Sequence, residues 1–445
     1  MQQYSEYKAS GVQWLGEIPS HWEVKRLGKI CKFSKGLQFT KTDLVNQGIA
    51  VVSYGQVHAK YNKRTHLSDD LIRFIPSDFR GKNEKAKVEI GDFIVADTSE
   101  DIEGCGNMAF NDCIEGLYGG YHTILIKELQ IACKKYLSYF FNCTQWRSQI
   151  RSLVNGVKVY TINRDILKQS NVICPSKEEQ KNIVNYLDIV TSNIDKAITQ
   201  QQKMIDLLNE RKQIIINNAV TKGLDSNVKM KDSGVEWIDK IPEHWEVRKL
   251  KSITSKIGSG VTPRGGGSVY VDRGVMFLRS QNVYFEGFKL EDVVYITEDV
   301  DASMPNTRVR EGDILFNITG GSIGRCHYVP QGFPKANVNQ HVSIIRPNNF
   351  SSVYLYYLLR SPICQIQVDL QQTGGNREGL TAFSLKNFIL PIPPKNEQQN
   401  IIKYLSEVDL KLEYAKQNFQ KQIFLLQERK QIIINDVVTG KVKVI

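Results

Sequence analysis

The sequence predicts an α+β fold: two globular mixed α/β, β-rich domains in tandem, separated by two long antiparallel coiled-coil helices with internal pseudo-two-fold symmetry. Three observations predict it. A proline-free helical stretch occurs twice, at 178–223 and 396–440, sharing the run ERKQIIIN at a spacing of 218 residues. The stretch SGVQWLGEIPSHWEVKRLGKI at 10–30 returns as SGVEWIDKIPEHWEVRKLKSI at 233–253. Between these lie short β-rich runs separated by glycine-rich loops. A duplication of this length settles the domain plan before any single element is assigned.

The N-terminal arm of each half carries the W-x-x-x-I-P-x-H-W pattern, with Trp14, Pro19, His21 and Trp22 answered by Trp237, Pro242, His244 and Trp245. Large rings beside a rigid proline suit pinning an arm onto its domain better than forming an aromatic binding platform. Each histidine stands without cysteine or carboxylate at ligand spacing, so both read as structural. The middle of each half diverges but still aligns: GDFI at 91–94 with GDIL at 312–315, His122 with His341, and YLSYFF from 136 with YLYYLL from 354. Runs such as IAVVSYGQV, KVEIGDFIVAD, VMFLRSQNV and HVSIIRP read as strands. The loops KIGSGVTPRGGGS, NITGGSIGRC and QTGGNREGL in the second half, and NGVKVYTIN in the first, combine little side-chain bulk with Arg, Asn, Thr and Gln. That composition suits close approach to phosphates and base edges, although such turns are more often only turns.

In the helices, apolar residues recur at alternating steps of three and four. The first seam is Ile194, Ile198, Gln201, Ile205, Leu208, Lys212, Ile215 and Ala219; the second is Leu412, Lys416, Phe419, Ile423, Leu426, Lys430, Ile433 and Val437. Each is about four heptads with polar interruptions, and each leaves a stripe that a lone helix cannot bury, so each predicts the other as its partner. At about 1.5 Å per residue, 194–222 forms a rod of roughly 40–45 Å. The domain plan is therefore 1–175, a central helix region at 176–223, a second domain at 224–393, and a C-terminal helix region at 394–445.

Net charge is +11 and the isoelectric point about 9.0, which permits a polyanionic partner. Eight cysteines fall unevenly between the halves with no C-x-x-C pair, which argues against a zinc site or a disulfide framework and for reduced thiols in the cytoplasm. No apolar run approaches the ~18 residues of a membrane span. The first residues, MQQYSEYKASGVQW, lack the apolar core of a signal peptide. Catalytic signatures are absent: no P-loop, no [ND]-P-P-[FY] tetrapeptide of adenine methyltransferases, and no G-x-S-x-G elbow. The acidic run at 97–103 lacks the spaced lysine of a metal-dependent nuclease, and its counterpart at 317–322 carries no acid. The chain reads as a binding or scaffolding part.

The tandem order, SGV-x-W then IP-x-HW, a variable domain, P-x-x-x-EQ-x-x-I and ERKQIII, resembles the specificity (S) subunit of type I restriction–modification systems over essentially the whole chain. Its anchors here are PSKEEQKNIV at 175–184 and PPKNEQQNII at 393–402. The resemblance implies that each domain is a target-recognition domain reading one half of a bipartite, asymmetric site in double-stranded DNA. It implies that the helices act as a ruler and dock two modification subunits that methylate adenine, and that restriction subunits join the complex. It further implies no cofactor in this chain, with S-adenosylmethionine, ATP and Mg on the partner subunits, and a subunit that is itself non-catalytic. A rod of this length matches recognition sites about one turn of B-DNA (roughly 34–36 Å) apart. Diverged domains predict unlike half-sites.

By position in the loops, the residues expected to contact DNA in the first domain are Lys35, Gln38, Lys41, Tyr54, Gln56, His58, Lys158 and Tyr160. In the second they are Thr262, Arg264, Arg279, Gln281, Asn282, Thr319, Arg325, Asn376 and Arg377. Arginine matches guanine O6/N7, and Gln or Asn matches adenine N6/N7. The polar faces at Gln202, Lys203, Glu210, Gln420 and Lys421 are expected to meet the modification subunits, or simply to be solvated. Two rival readings stay open at this stage: the recognition half of a split restriction–methylation enzyme, and a coiled-coil interaction protein with no DNA role.

Overall fold

The computed structural model describes the chain except residues 1, 80–83, 129–130, 132, 155, 157, 372–378 and 445, and leaves aside the side chain of Glu128. Two long helices, Lys177–Lys222 and Lys395–Val438, are each divided between two compact units. The first unit comprises Met1–Gln202 with Gln420–Ile445, and the second is Lys203–Phe419. Each unit thus contains one globular β-rich domain and a segment of both long helices.

In the first unit, strands Met108–Phe110, Phe93–Ala96, Thr123–Glu128 and Cys31–Lys35 form an antiparallel sheet in that order. Alternation along its strands assigns its two faces. Phe93, Val95, Ile124 and Ile126 point to a core shared with Tyr136, Phe140 and Trp146 from helices Lys134–Phe141 and Thr144–Arg151. Ile94, Ala96 and Leu125 point the other way, joining Val52, Val88 and Leu117 of a second sheet. That sheet orders Arg73–Ile75, Ile49–Val52, Leu117–Gly119 and Lys87–Val88, with Ile49–Val52 and Leu117–Gly119 parallel.

The second unit repeats this plan. Strands Cys326–Tyr328, Ile314–Asn317, Val342–Pro347 and Thr254–Ser259 take the same order, and Val275–Leu278 lies parallel to Ala336–Val338. Ile314, Phe316 and Ile345 face its helices, and Leu315, Val342 and Ile344 face its smaller sheet. The duplication read in the sequence is therefore a duplication of topology.

The repeated IP-x-HW and EQ motifs meet each other. In the first unit, Glu179 Oε1 accepts from Trp22 Nε1 at 3.1 Å and lies 2.9 Å from His21 Nε2. In the second, Glu397 accepts from Trp245 Nε1 at 2.9 Å and lies 2.5 Å from His244 Nε2. The following glutamine closes the helix start: Gln180 donates to the Pro175 carbonyl at 2.8 Å and Gln398 to that of Pro393 at 3.0 Å. Both tryptophans are fully buried. The arm is pinned, as its rings and proline predict.

The same tryptophans set the helix direction within each unit. Gly440, just past the end of the C-terminal helix, lies against Pro19 and Trp22, beside the start of the central helix. Further along, Lys430 Nζ meets Asp195 at 2.7 Å, so the two segments run antiparallel. In the second unit Gly223 and Glu397 both abut Trp245, and Lys212 meets Asp409 at 3.0 Å. Every seam position named above is buried or half-buried. Its two lysines at equivalent positions, Lys212 and Lys430, interrupt the apolar seam because each pairs with a carboxylate of the facing helix.

Candidate nucleic-acid interface

In both domains three turns meet at one end of the equivalent larger sheet: the turn after the edge strand Cys31–Lys35 or Thr254–Ser259, the short helical turn after the first strand of the smaller sheet, and the turn that opens the central strand. Gly36 and Gly260 begin the first of these turns, where a Cβ would strike the carbonyl of Gly120 or of Val338. Only glycine lets that turn lie flat against the neighbouring loop.

In the first domain an aromatic row runs across this end. Phe39 meets Tyr121 edge-on at 5.0 Å between ring centroids; Tyr121 meets Tyr54 at 5.6 Å, and Tyr54 meets His122 at 5.6 Å. Beside it opens a cleft of about 670 Å³ lined by Tyr54, His58, Lys60, Arg64, Thr98, Asn107, His122 and Val159, with Glu100, Asp101 and Glu103 along one wall. Strand Tyr160–Thr161 pairs with Thr98–Ser99, which brings Val159 to the cleft, with the expected Lys158 and Tyr160 on either side of it in sequence. Beneath the cleft, Arg147 Nη2 donates to Asn107 Oδ1 at 2.7 Å and to the Glu103 carbonyl at 2.5 Å; Arg151 donates to the same carbonyl at 2.7 Å. Burial, then the guanidiniums of Arg64 and Arg151, push the Arg147 pKa below the ordinary arginine value.

Of the expected residues, Lys35, Gln38, Lys41 and Lys158 are exposed, and Tyr54, Gln56, His58 and Tyr160 are half-buried. Two are engaged within the protein. Gln56 Oε1 accepts from the Ser53 backbone N–H at 3.2 Å and so closes its own turn. His58 has both ring nitrogens bound, Nε2 to the Thr98 carbonyl at 2.8 Å and Nδ1 to Asn107 at 3.1 Å. What His58 presents to the cleft is a ring, not a free donor.

The second domain builds the same end from different side chains. Thr262 bonds Gln340, Gln340 Nε2 lies 3.0 Å from His341 Nε2, and His341 Nδ1 lies 2.6 Å from Thr319 Oγ1. These four polar groups form one row. Tyr284 of the same domain holds two cations at its ring, with Lys289 Nζ at 4.2 Å and the Arg325 guanidinium at 5.0 Å from the ring centroid. Arg264 and Gln281 are exposed, and Arg279 is half-buried and donates to the Asp292 carbonyl at 3.0 Å. Asn282 is 1% exposed: its Oδ1 accepts from the Arg279 N–H at 2.9 Å and its Nδ2 donates to the Lys289 carbonyl at 2.9 Å. It is the counterpart of Gln56 and likewise holds the turn, which leaves no amide edge for a base. Asn376 and Arg377 lie outside the described residues.

Residue-type reasoning overlooked Tyr121, Asn107, Tyr284, Lys289 and Gln340. A signal for one region existed, because the aligned His122 and His341 mark the turn that opens the central strand in each half. All eight cysteines are free thiols. Among the described residues, His66, Asp112 and Cys113 bring ligand-type atoms within 4.8 Å of one another, and Asp112 ties the loop by bonding His66 at 2.8 Å and the Leu67 N–H at 3.0 Å. No helix among the described residues is long and apolar enough to cross a membrane.

Residues 19–205 and 242–423 each match the family described as the type I restriction modification DNA specificity domain. The chain is 26% identical over 452 residues to the type I restriction enzyme MjaVIII specificity subunit of Methanocaldococcus jannaschii, a match covering 100% of this chain and 98% of that one. It is 20% identical over 414 residues to the EcoKI specificity subunit of Escherichia coli, covering 88% and 83%. Among solved structures, a chain from a study of complex assembly and conformational transition of the type I R-M system shares the fold with a TM-score of 0.68 at 16% identity, covering 96% of this chain and 99% of that one. Two matched domains in tandem, on a duplicated topology with its loops gathered at equivalent ends, lead to one conclusion: the chain belongs to the type I restriction–modification DNA specificity family, as a subunit for DNA sequence recognition and not for catalysis.

Proposed function

We propose that each domain reads one half of a bipartite, asymmetric site in double-stranded DNA, through the loop end of its larger sheet. The observation that carries this reading is equivalence of place with difference of chemistry. The same three turns converge in both domains, yet one presents an aromatic row over a mixed-charge cleft and the other a polar row flanked by Arg264, Arg325 and Lys289. Equivalent frames with unlike surfaces suit unlike half-sites. Base-edge contacts would carry the sequence discrimination, and the lysines and arginines the phosphate attraction.

In this reading the antiparallel helices set the spacing and dock two modification subunits, with restriction subunits joining the assembly. The complex works in the cytoplasm, and S-adenosylmethionine, ATP and Mg belong to the partners. The helices expose more apolar surface than solvent alone favours, including Leu410 at 73% and Tyr414 at 69% exposure in the second unit and Ile189 at 64% in the first. Within its own unit each adds to exposed charge, Lys203 and Glu210 in the second and Lys421 in the first, and a mixed apolar and charged helix face is of the kind a partner subunit covers.

Co-expression with its modification subunit in a methylation-free host, followed by genome-wide mapping of N6-methyladenine, tests the proposal. A split motif of two unlike half-sites with a fixed gap is expected. A soluble, intact complex that leaves no methylation would overturn it.

A further inference from the structure

The two helix junctions share their proline, histidine, tryptophan, glutamate and glycine, and differ in the side chain that covers them. Strand Tyr7–Ala9 pairs with Glu17–Pro19 so that Tyr7 faces Pro19, and Met230–Asp232 pairs with Lys240–Pro242 so that Met230 faces Pro242. The register makes position 227 the counterpart of position 4. Position 4 is tyrosine and position 227 is asparagine.

In the first repeat, Tyr4 covers the junction. Its ring lies 5.5 Å from Trp22 and 5.8 Å from His21, centroid to centroid, and it packs against the main core of the unit. Burial and the adjacent Glu179 carboxylate hold its hydroxyl above the usual phenol range. In the second repeat, one continuous connector runs where the first repeat has both the head and the tail of the chain, which pair at Gln2 and Lys443. At this second junction lies a cavity of about 290 Å³, lined by Leu224, Val228, Pro242, His244, Glu397 and Ile401. Three of these walls, Pro242, His244 and Glu397, are the counterparts of Pro19, His21 and Glu179 around Tyr4.

We propose that this junction cavity binds a phenol ring, supplied as a tyrosine side chain by a partner polypeptide of the assembly. The first repeat shows what the frame accommodates: an aromatic ring on the tryptophan–histidine corner with its hydroxyl toward the glutamate. Complementarity favours the same occupant in the second, because Glu397 and Asp225 present carboxylate acceptors to a neutral donor while Leu224, Val228 and Ile401 provide apolar walls. The size suffices, since an apolar cavity of about 150 Å³ already holds benzene.

The test uses the full chain and p-cresol as probe, read by ligand-detected NMR and by thermal shift. The wild-type chain is expected to bind one equivalent. Asn227→Tyr, which supplies the ring internally as Tyr4 does, should reduce binding about tenfold, and Tyr4→Ala should open the matching cavity and add a second equivalent. No p-cresol binding by the wild type, or equal binding by Asn227→Tyr, overturns the site. The source is tested separately, with the modification and restriction subunits that the functional reading supplies. Asn227→Tyr should weaken assembly about tenfold, whereas unchanged assembly overturns the partner tyrosine. The p-cresol arm does not depend on the assignment of partners, so failure of the site and failure of that assignment give different results.

Discussion

Asn107 decides what His58 can offer. Arginine only donates, so Arg147 requires Asn107 Oδ1 to face it. Asn107 Nδ2 therefore donates to His58 Nδ1, and the His58 proton sits on Nε2, toward the Thr98 carbonyl. Asn107→Ala is expected to free that ring and blur recognition by the first domain alone, seen as extra methylated variants in one half-site. In the second domain, Arg264→Ala and Arg325→Ala separate two kinds of contact. A base contact costs about 1–3 kcal/mol against the preferred sequence only, whereas a phosphate contact weakens all sequences alike and lowers the salt slope by about one. Competition binding at two salt concentrations distinguishes them. Glu179 carries a pH prediction. Burial raises its pKa, but hydrogen bonds from His21, Trp22 and Ser176 outweigh that and leave it below its ordinary value of 4.5. A depressed carboxylate contributes stability that is present above the unfolded-state pKa and lost as pH falls through the folded one. Glu179→Gln should therefore flatten the acid limb of thermal stability below pH 4.5 and lower stability at neutral pH.

At the scale of elements, two of the polar interruptions in otherwise apolar heptads are lysines held by the facing helix. Lys212 and Lys430 sit mostly out of solvent and each meets an aspartate of the opposing helix, which marks the antiparallel register. Asp195→Ala strands the Lys430 ammonium. The expected loss is about 1–2 kcal/mol, less than the roughly 3–5 kcal/mol of a fully buried pair, because both groups keep some water. Urea unfolding measures it. Gly440 has φ +78°, and a Cβ there would collide with Pro19. Gly440→Ala should cost at least about 1 kcal/mol and loosen the N-terminal arm, seen as faster hydrogen exchange at Trp22. The two turn-closing amides show what residue type alone does not record. Gln56 and Asn282 were both expected to read adenine, and both close the turn that follows a buried strand.

For the molecule as a whole, each compact unit takes core residues from both long helices. Ile433, Ile434, Val437 and Val438 complete the first core, although they follow it by more than two hundred residues of sequence. A fragment ending at Lys222 would lack them and expose their apolar seats. Such a fragment is expected to self-associate through its own copy of the helix, and sedimentation at several concentrations would detect this. Monomeric, cooperatively folded behaviour would show that the first domain closes its core without the C-terminal helix.

The sequence by itself determined the duplication, the two long helices, their seam, the pinned arms and the family, because all of these are periodic or repeated patterns that one dimension records. The anchoring role of Trp22 and Trp245 was legible for the same reason. Only the tertiary structure decided which loop side chains remain free. Hydrogen bonds between distant residues, such as Arg147 to Asn107 to His58 and Thr262 to Gln340 to His341, leave no local pattern. Nor does the junction cavity, whose walls come from the connector at 222–228, the second IP-x-HW arm and the start of the C-terminal helix.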